Sequence, residues 1–295
     1  MRLKIWSFGA ALVLCAGAAQ AKPVLHAVGI ENQYADVMSQ IGGKYVQVSA
    51  IEVDPNTDPH EFEVSPKVAR SLAMANVIVE NGLGYDSWAD SMPALKHAQI
   101  INVQHVLSLP DSTPNPHLWY DPKTMVAVAP VIAAAFAKHD PEHAAYYEEN
   151  AKTFIASLKP WDDAIAALKT EYAGAPVAVT EPVADYLLQA AGLKIATPFT
   201  LEASIMNDTD PAPQDATAQQ DLLKQRKVKL FAYNQQVTDP LTQTFLQLAK
   251  QNNIPVVGVY ETMPQGYTYQ TWMLAETQAI ANALKTGQST ETLGH

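Results

Sequence analysis

Four residues have the types and positions to hold a divalent cation. His60 lies in Asp58-Pro59-His60-Glu61-Phe62-Glu63, and His117 in Asn115-Pro116-His117-Leu118-Trp119-Tyr120-Asp121-Pro122. Glu181 follows the apolar run Val177-Ala178-Val179-Thr180, and Glu261 follows Val256-Val257-Gly258-Val259-Tyr260. Two neutral imidazoles and two carboxylates form a nitrogen–oxygen donor set whose charge offsets a 2+ ion. Imidazole suits Zn, Fe and Mn, while carboxylate shifts preference toward the harder Mn2+ and Fe2+. Pro59 and Pro116 restrict the residue before them to extended backbone, which preorganises both loops. Each residue has a plainer reading alone: a loop histidine is often only polar surface, and Glu181, just before Pro182, can cap a helix. What sets them apart together is that all four stand at equivalent strand ends.

Open α/β sheets bind ligands beyond the carboxyl ends of their strands, so the elements that deliver these residues matter. From Lys22 onward short apolar runs alternate with helical stretches. Strands are predicted at Leu25–Ile30, Tyr45–Ile51, Val77–Glu80 and Gln99–Val103, then near Pro176–Thr180, Leu193–Pro198, Lys229–Tyr233 and Pro255–Tyr260. Helices are predicted around Tyr34–Ile41, from Ser65-Pro66 and from about Asp86. Four more follow near Val183–Ala191, Asp215–Arg226, Asp239–Asn252 and Gln270–Lys285. This rhythm predicts an α/β fold of two lobes, each a parallel four-stranded sheet flanked by helices.

Between the lobes Tyr147, Ala151, Phe154, Leu158, Trp161, Ile165 and Leu168 recur at alternating spacings of 4 and 3, the seam of one long amphipathic helix. About 30 residues at 1.5 Å each span roughly 45 Å, the length of a lobe. Pro160 is placed to kink or split it, and two antiparallel helices are the alternative. The predicted organisation is a signal peptide at 1–21, an N-terminal lobe at 22–139, a rigid linking helix at 140–172 and a C-terminal lobe at 173–295.

The chain of 295 residues is 48% hydrophobic and 17% charged, which excludes a disordered protein. Its formal charge, 19 − 30 = −11, argues against a nucleic-acid partner. Arg2 and Lys4, the apolar run Ile5–Gly17 and Ala19-Gln20-Ala21 read as a secretory signal cleaved after Ala21. The single cysteine, Cys15, lies inside that signal behind Leu14, where lipidation wants a small residue. The mature chain therefore has no thiol for zinc, iron–sulfur or nucleophilic chemistry, and no GxGxxG, GxxxxGK[ST], GxSxG or HExxH motif occurs. His97, His105, His139 and His143 read as solvated and His26 as a core residue, while Asp121, Asp185 and Glu202 are outside candidates for supporting roles.

Asp58-Pro59-His60 with Pro66, Asn81-Gly82-Leu83-Gly84 with Trp88, and Pro116-His117-Leu118-Trp119 resemble the periplasmic solute-binding proteins of zinc/manganese/iron ABC importers (cluster A-I). The resemblance spans nearly the whole mature chain. It implies two α/β lobes joined by a rigid helix, a metal buried between them and delivery to a membrane permease. By motif, His60 and His117 match the first two ligands. Glu181 stands where zinc-type members carry a third His and manganese/iron-type members carry Glu. Glu261 stands at a position usually filled by Asp, a departure of one methylene. The His-rich acidic loop of zinc-type members is missing between His105 and His117. These points lean toward manganese or iron, with zinc left open because Zn2+ generally outbinds Mn2+ at equal ligands.

The resulting expectation is a monomeric, non-enzymatic periplasmic protein that captures Mn, Fe or Zn and passes it to a permease. One alternative is an exported metal-dependent hydrolase, which needs an open coordination position for water. The other is a binder of an organic solute, with Trp119, Tyr120 and Tyr267 as contacts.

Overall fold

The computed structural model describes residues 25–56, 62, 64–90, 92 and 97–294. The predicted signal peptide and His60 lie outside these residues.

The first lobe runs β1 (Leu25–Glu31), α1 (Asn32–Gly42), β2 (Val46–Glu52), α2 (Pro66–Met74), β3 (Val77–Glu80), α3 (Ser87–Asp90), β4 (Gln99–Asn102), α4 (Val103–Val106) and α5 (Thr124–His139). Then come α6 (Ala144–Ser157) and α7 (Lys159–Tyr172). The second lobe runs β5 (Pro176–Val179), α8 (Asp185–Ala190), β6 (Lys194–Ile195), α9 (Phe199–Met206), α10 (Pro213–Lys224), β7 (Phe231–Asn234), α11 (Pro240–Gln251), β8 (Val256–Val259) and α12 (Tyr269–Thr286).

Each lobe holds a four-stranded sheet, in the orders β2-β1-β3-β4 and β6-β5-β7-β8. Every pairing is parallel, as the alternation of strands and helices requires. The two sheets thus share one topology. Each reverses strand order between its first and third strands, which is where α/β sheets open a crevice for ligands. Local chemistry sets the boundaries: Ser65 Oγ accepts from the Val68 N–H at 3.3 Å with Pro66 in the first turn of α2. Asp239 and Thr242 form a reciprocal capping box at α11.

The seam at 140–172 forms α6 and α7 rather than one uninterrupted helix. They meet at Leu158, whose φ of −76° and ψ of −15° keep the chain right-handed. Pro160 has no N–H to continue the helical ladder, so the break falls at that point. Tyr147, Ala151, Phe154, Leu158, Trp161, Ile165 and Leu168 all face inward. They join one core cluster that includes Val37 and Phe136 of the first lobe and Leu187 and Ile280 of the second. Each fully buried aliphatic or aromatic side chain stabilises by about 1.5–3 kcal/mol, so a core common to both lobes resists their separation.

Three helices lie outside the sequence expectation, α4, α5 and α9. His26, expected in the core, is half-buried. After α12 the chain returns to the open edge of the second sheet. Gly258 N–H donates to the Thr290 carbonyl and Thr290 N–H to the Val256 carbonyl, each at 2.8 Å. A Cβ on Gly258 would collide with the Glu291 carbonyl, so glycine is the residue this approach permits.

Candidate metal centre

His117 is delivered by Asn115-Pro116-His117, just ahead of a short 3-10 turn, Leu118–Tyr120. It is fully buried. Asn115 holds it twice: its Oδ1 accepts from the His117 backbone N–H at 3.0 Å and lies 2.8 Å from Nδ1. The orientation of that amide is fixed because Asn115 Nδ2 donates to the Pro182 carbonyl at 2.7 Å. An amide oxygen only accepts, so Nδ1 carries the proton, and Nε2 is left to face the second lobe.

What Nε2 faces is Glu261, whose Oε2 lies 3.2 Å away with both side chains at 0% exposure. A neutral imidazole with its proton on Nδ1 would present a lone pair to a carboxylate oxygen. That contact is favourable only with a proton between the two atoms, on Nε2 or on the carboxyl, or with a cation there.

The second lobe supplies its carboxylates directly from strand ends. The β5–β7 register pairs Val179 with Ala232, so Glu181 comes level with Asn234, the last residue of β7. Asn234 Nδ2 donates to Glu181 Oε1 at 3.0 Å and to Glu261 Oε1 at 2.8 Å. The backbone around Glu261 is fixed by Gln236, whose Oε1 accepts from the N–H groups of Glu261 and Thr262 at 2.7 and 2.8 Å. From the first lobe Tyr85 donates its hydroxyl to Glu261 Oε2 at 2.9 Å. Burial, followed by the charges of Glu261, Glu52 and Glu31, pushes the Tyr85 phenol well above its usual range, so it stays a donor.

Of the four sequence candidates, His117 contacts Glu261 directly and Glu181 is joined to Glu261 through Asn234, while His60 lies outside the described residues. Among the described residues no group of three His, Cys, Asp or Glu side chains has the arrangement of a metal site. The Asn234 amide stands between the two carboxylates.

The turn Asn81-Gly82-Leu83-Gly84 braces the imidazole from behind. Gly82, Leu83 and Gly84 have positive φ of 84°, 56° and 79°, which the two glycines adopt without strain. Asp86 accepts from the Asn81 and Gly82 N–H groups at 2.6 and 3.1 Å. Asn81 in turn donates to the Pro116 carbonyl at 2.8 Å, next to His117, and accepts from Tyr34 at 2.7 Å. The Trp119 ring lies edge-on to His117 and Tyr85, with centroids 5.5 and 5.1 Å apart.

The floor of this lobe is acidic. Glu31, Glu52, Glu80 and Asp86 are all buried. Both Glu31 oxygens lack a hydrogen-bond partner among the described residues. Burial, then the charges of Asp86 and Glu52, raises its proton affinity strongly. Burial and the Glu80 charge raise Asp86 to about 7.

The outside candidates separate. Asp185 and Glu202 form a buried pair hydrogen-bonded to each other, both held toward the protonated form first by burial. Asp121 is a partly exposed turn residue that accepts from the Lys123 N–H at 2.9 Å. The aromatic contacts expected of an organic-solute cleft do not line one. Trp119 and Tyr120 are fully buried in the core, and Tyr267 donates to the Gly294 carbonyl at 2.6 Å.

Tyr85, Asn115, Asn234 and Gln236 escaped the sequence reading as site residues. Asn234 had a usable signal, since it ends a strand beside the one that delivers Glu181.

Residues 31–283 match the family described as ZnuA, zinc-uptake complex component A, periplasmic. The chain belongs to this family. It is 23% identical over 243 residues to the manganese-binding lipoprotein MntA of Bacillus subtilis (strain 168), covering 77% of this chain and 76% of that protein. It is 28% identical over 135 residues to the protein of the same name from Halalkalibacterium halodurans, covering 43% of this chain and 44% of that one. The chain thus spans less than half of one curated relative and about three quarters of the other. The fold is that of the periplasmic zinc binding protein TroA from Treponema pallidum, with a TM-score of 0.74 at 14% identity over 90% of this chain and 99% of that one. No described helix is long and apolar enough to cross a membrane.

Proposed function

We propose that this chain is the periplasmic metal-capturing component of an ABC importer. A divalent ion is held between the lobes by His60, His117, Glu181 and Glu261 and passed to a membrane permease, without chemical turnover. The lobes correspond to residues 22–139 and 173–295, bridged by 140–172, and the protein works as a monomer exported by the signal at 1–21.

The observation that carries this reading is the approach of His117 Nε2 to Glu261 Oε2 at 3.2 Å, with the other imidazole nitrogen committed to Asn115. The pair calls for a proton or a cation between its members. A 2+ ion takes that place and displaces the proton that the pair otherwise shares. The relatives' names, which mention manganese and zinc, support the same class of ligand. Two carboxylates favour Mn2+ or Fe2+, while Zn2+ outbinds Mn2+ at equal ligands, so metal supply at loading decides between them.

Metal uptake should displace protons, because only neutral imidazole ligates. Capture then consists of neutralising two buried carboxylates, excluding water and holding the lobes on the ion. Release follows when the permease draws the lobes apart.

The test is calorimetric titration of metal-stripped protein with Mn2+, Fe2+ and Zn2+, alongside His117→Ala and Glu181→Ala. Loss of binding in both variants is expected. Undiminished binding in both overturns the assignment.

A further inference from the structure

The hydroxyl of Tyr120 has more neighbours than one proton can serve in the usual way. It lies 2.8 Å from the Tyr260 carbonyl and 2.7 Å from Glu276 Oε2, and it accepts from the Tyr260 N–H at 3.3 Å. The carbonyl can only accept. If Glu276 were ionised it too could only accept, and one hydroxyl proton would face two acceptors. A protonated Glu276 removes the conflict: Glu276 donates to the Tyr120 oxygen, and Tyr120 donates to the Tyr260 carbonyl. The other carboxyl oxygen, Oε1, accepts from Trp272 Nε1 at 2.7 Å, so every polar atom of the acid is served.

We propose that Glu276 is a positioning residue of the metal centre: as a neutral carboxylic acid it donates its proton to Tyr120, and Tyr120 then pins the chain that carries Glu261 to the chain that carries His117. This rests on the metal-binding reading given above.

The geometry links three elements. Tyr120 ends the turn that follows His117, Tyr260 precedes Glu261, and Glu276 lies in the middle of α12. Glu276 is fully buried. Burial raises its proton affinity to about 8, against the opposing pull of hydrogen bonds from Tyr120, Trp272 and the Tyr260 backbone. The titratable groups that face it are Tyr120 and Tyr260. Beyond Tyr120 stands Glu261, whose charge acts on that phenol. From α7, Trp161 donates to Thr277 of α12 and Asp162 acts on Tyr269. From α1, Asp36 accepts the Tyr269 N–H.

A purely structural Glu276 would tolerate or resist substitution without regard to protons, whereas a proton donor is replaced by glutamine and lost by ionisation. In metal-free protein, the infrared difference between wild type and E276Q should show a carboxylic-acid carbonyl band at pH 7 that disappears as pH rises through about 8. For Mn2+ titrated under nitrogen at pH 7, E276L should bind about tenfold or more weakly, and E276Q should restore affinity to within about twofold of wild type. From pH 7 to 9 the wild type should weaken relative to E276Q.

Absence of the acid band, E276Q as weak as E276L, or E276L equal to wild type overturns the proposal. Should E276L not fold, Y120F removes the shared oxygen and must weaken Mn2+ binding similarly; unchanged affinity there also overturns it. Failure of the wild type to bind Mn2+, Fe2+ or Zn2+ at all would remove the metal centre and this role with it. The infrared band would still decide whether the proton is present.

Discussion

The two lobes share one sheet topology, yet they hold their parts of the site in different ways. The second lobe uses the sheet itself: Glu181, Asn234 and Glu261 leave adjacent strands, and one amide binds both carboxylates. The first lobe builds outward from its sheet. His117 stands on a loop braced by Asn115, by the Asn81 turn and by the Trp119 ring. The difference follows from chemistry. A carboxylate offers several lone pairs over a range of directions, so a strand end positions it well enough. An imidazole offers one lone pair in one direction, so its other nitrogen must be committed and its ring held.

The largest effect should come from removing the residue on which both devices converge. Glu261 meets His117, Tyr85 and Asn234, so Glu261→Ala should weaken metal binding by more than about 100-fold in calorimetry, since even supporting residues cost about 10–100-fold. Next, Asn115→Ala frees the tautomer of His117 and should cost about 10–100-fold, with the loss in binding rather than in fold. An Asn115→Ala variant that binds like wild type would show that the first lobe needs no such bracing.

Asn234→Ala should act on the metal-free protein instead. Two buried carboxylates lose a donor, which costs about 1–3 kcal/mol, and an ion should restore much of it. Thermal unfolding with and without Mn2+ should therefore show a larger metal-induced shift than in wild type. An equal shift would separate Asn234 from the ion's position.

The last expected effect is a slope, small over any single pH unit. Glu276 holds a proton to about pH 8 in the folded protein, but releases it near 4.3 when unfolded. Between those values the folded state binds the extra proton. Its contribution is fully present below about pH 4.3 and is lost as pH rises to about 8, by at most about 1.4 kcal/mol per pH unit. Denaturant unfolding should show this decline, and Glu276→Gln should flatten it.

Much of the fold was legible because strands announce themselves by composition. Val77–Glu80 lies where the apolar run predicts it, and the other strands differ by a few residues at their ends, most at β6, where only Lys194–Ile195 pair. The helix α5 was not legible, since Thr124–His139 is apolar on nearly every side and contains Pro130, so it has no polar stripe to mark a period. The linking helix was legible in its seam, and its break at Leu158 followed from Pro160. In the site, the charged and imidazole groups could be named in advance because few residue types suit a cation. The amides could not. Asn115 matters through Pro182, 67 residues on, and Gln236 through a backbone 25 residues away; these are facts of tertiary contact rather than of local pattern.

The strand-like return of the chain at Thr290 has a practical consequence. Its final residues blunt an edge that would otherwise be open to pairing with another molecule, and Leu293 N–H donates to the Tyr260 hydroxyl at 3.2 Å, one residue from Glu261. A purification tag or deletion placed there would disturb the backbone that leads into Glu261, so fusions for biochemical work belong away from this segment.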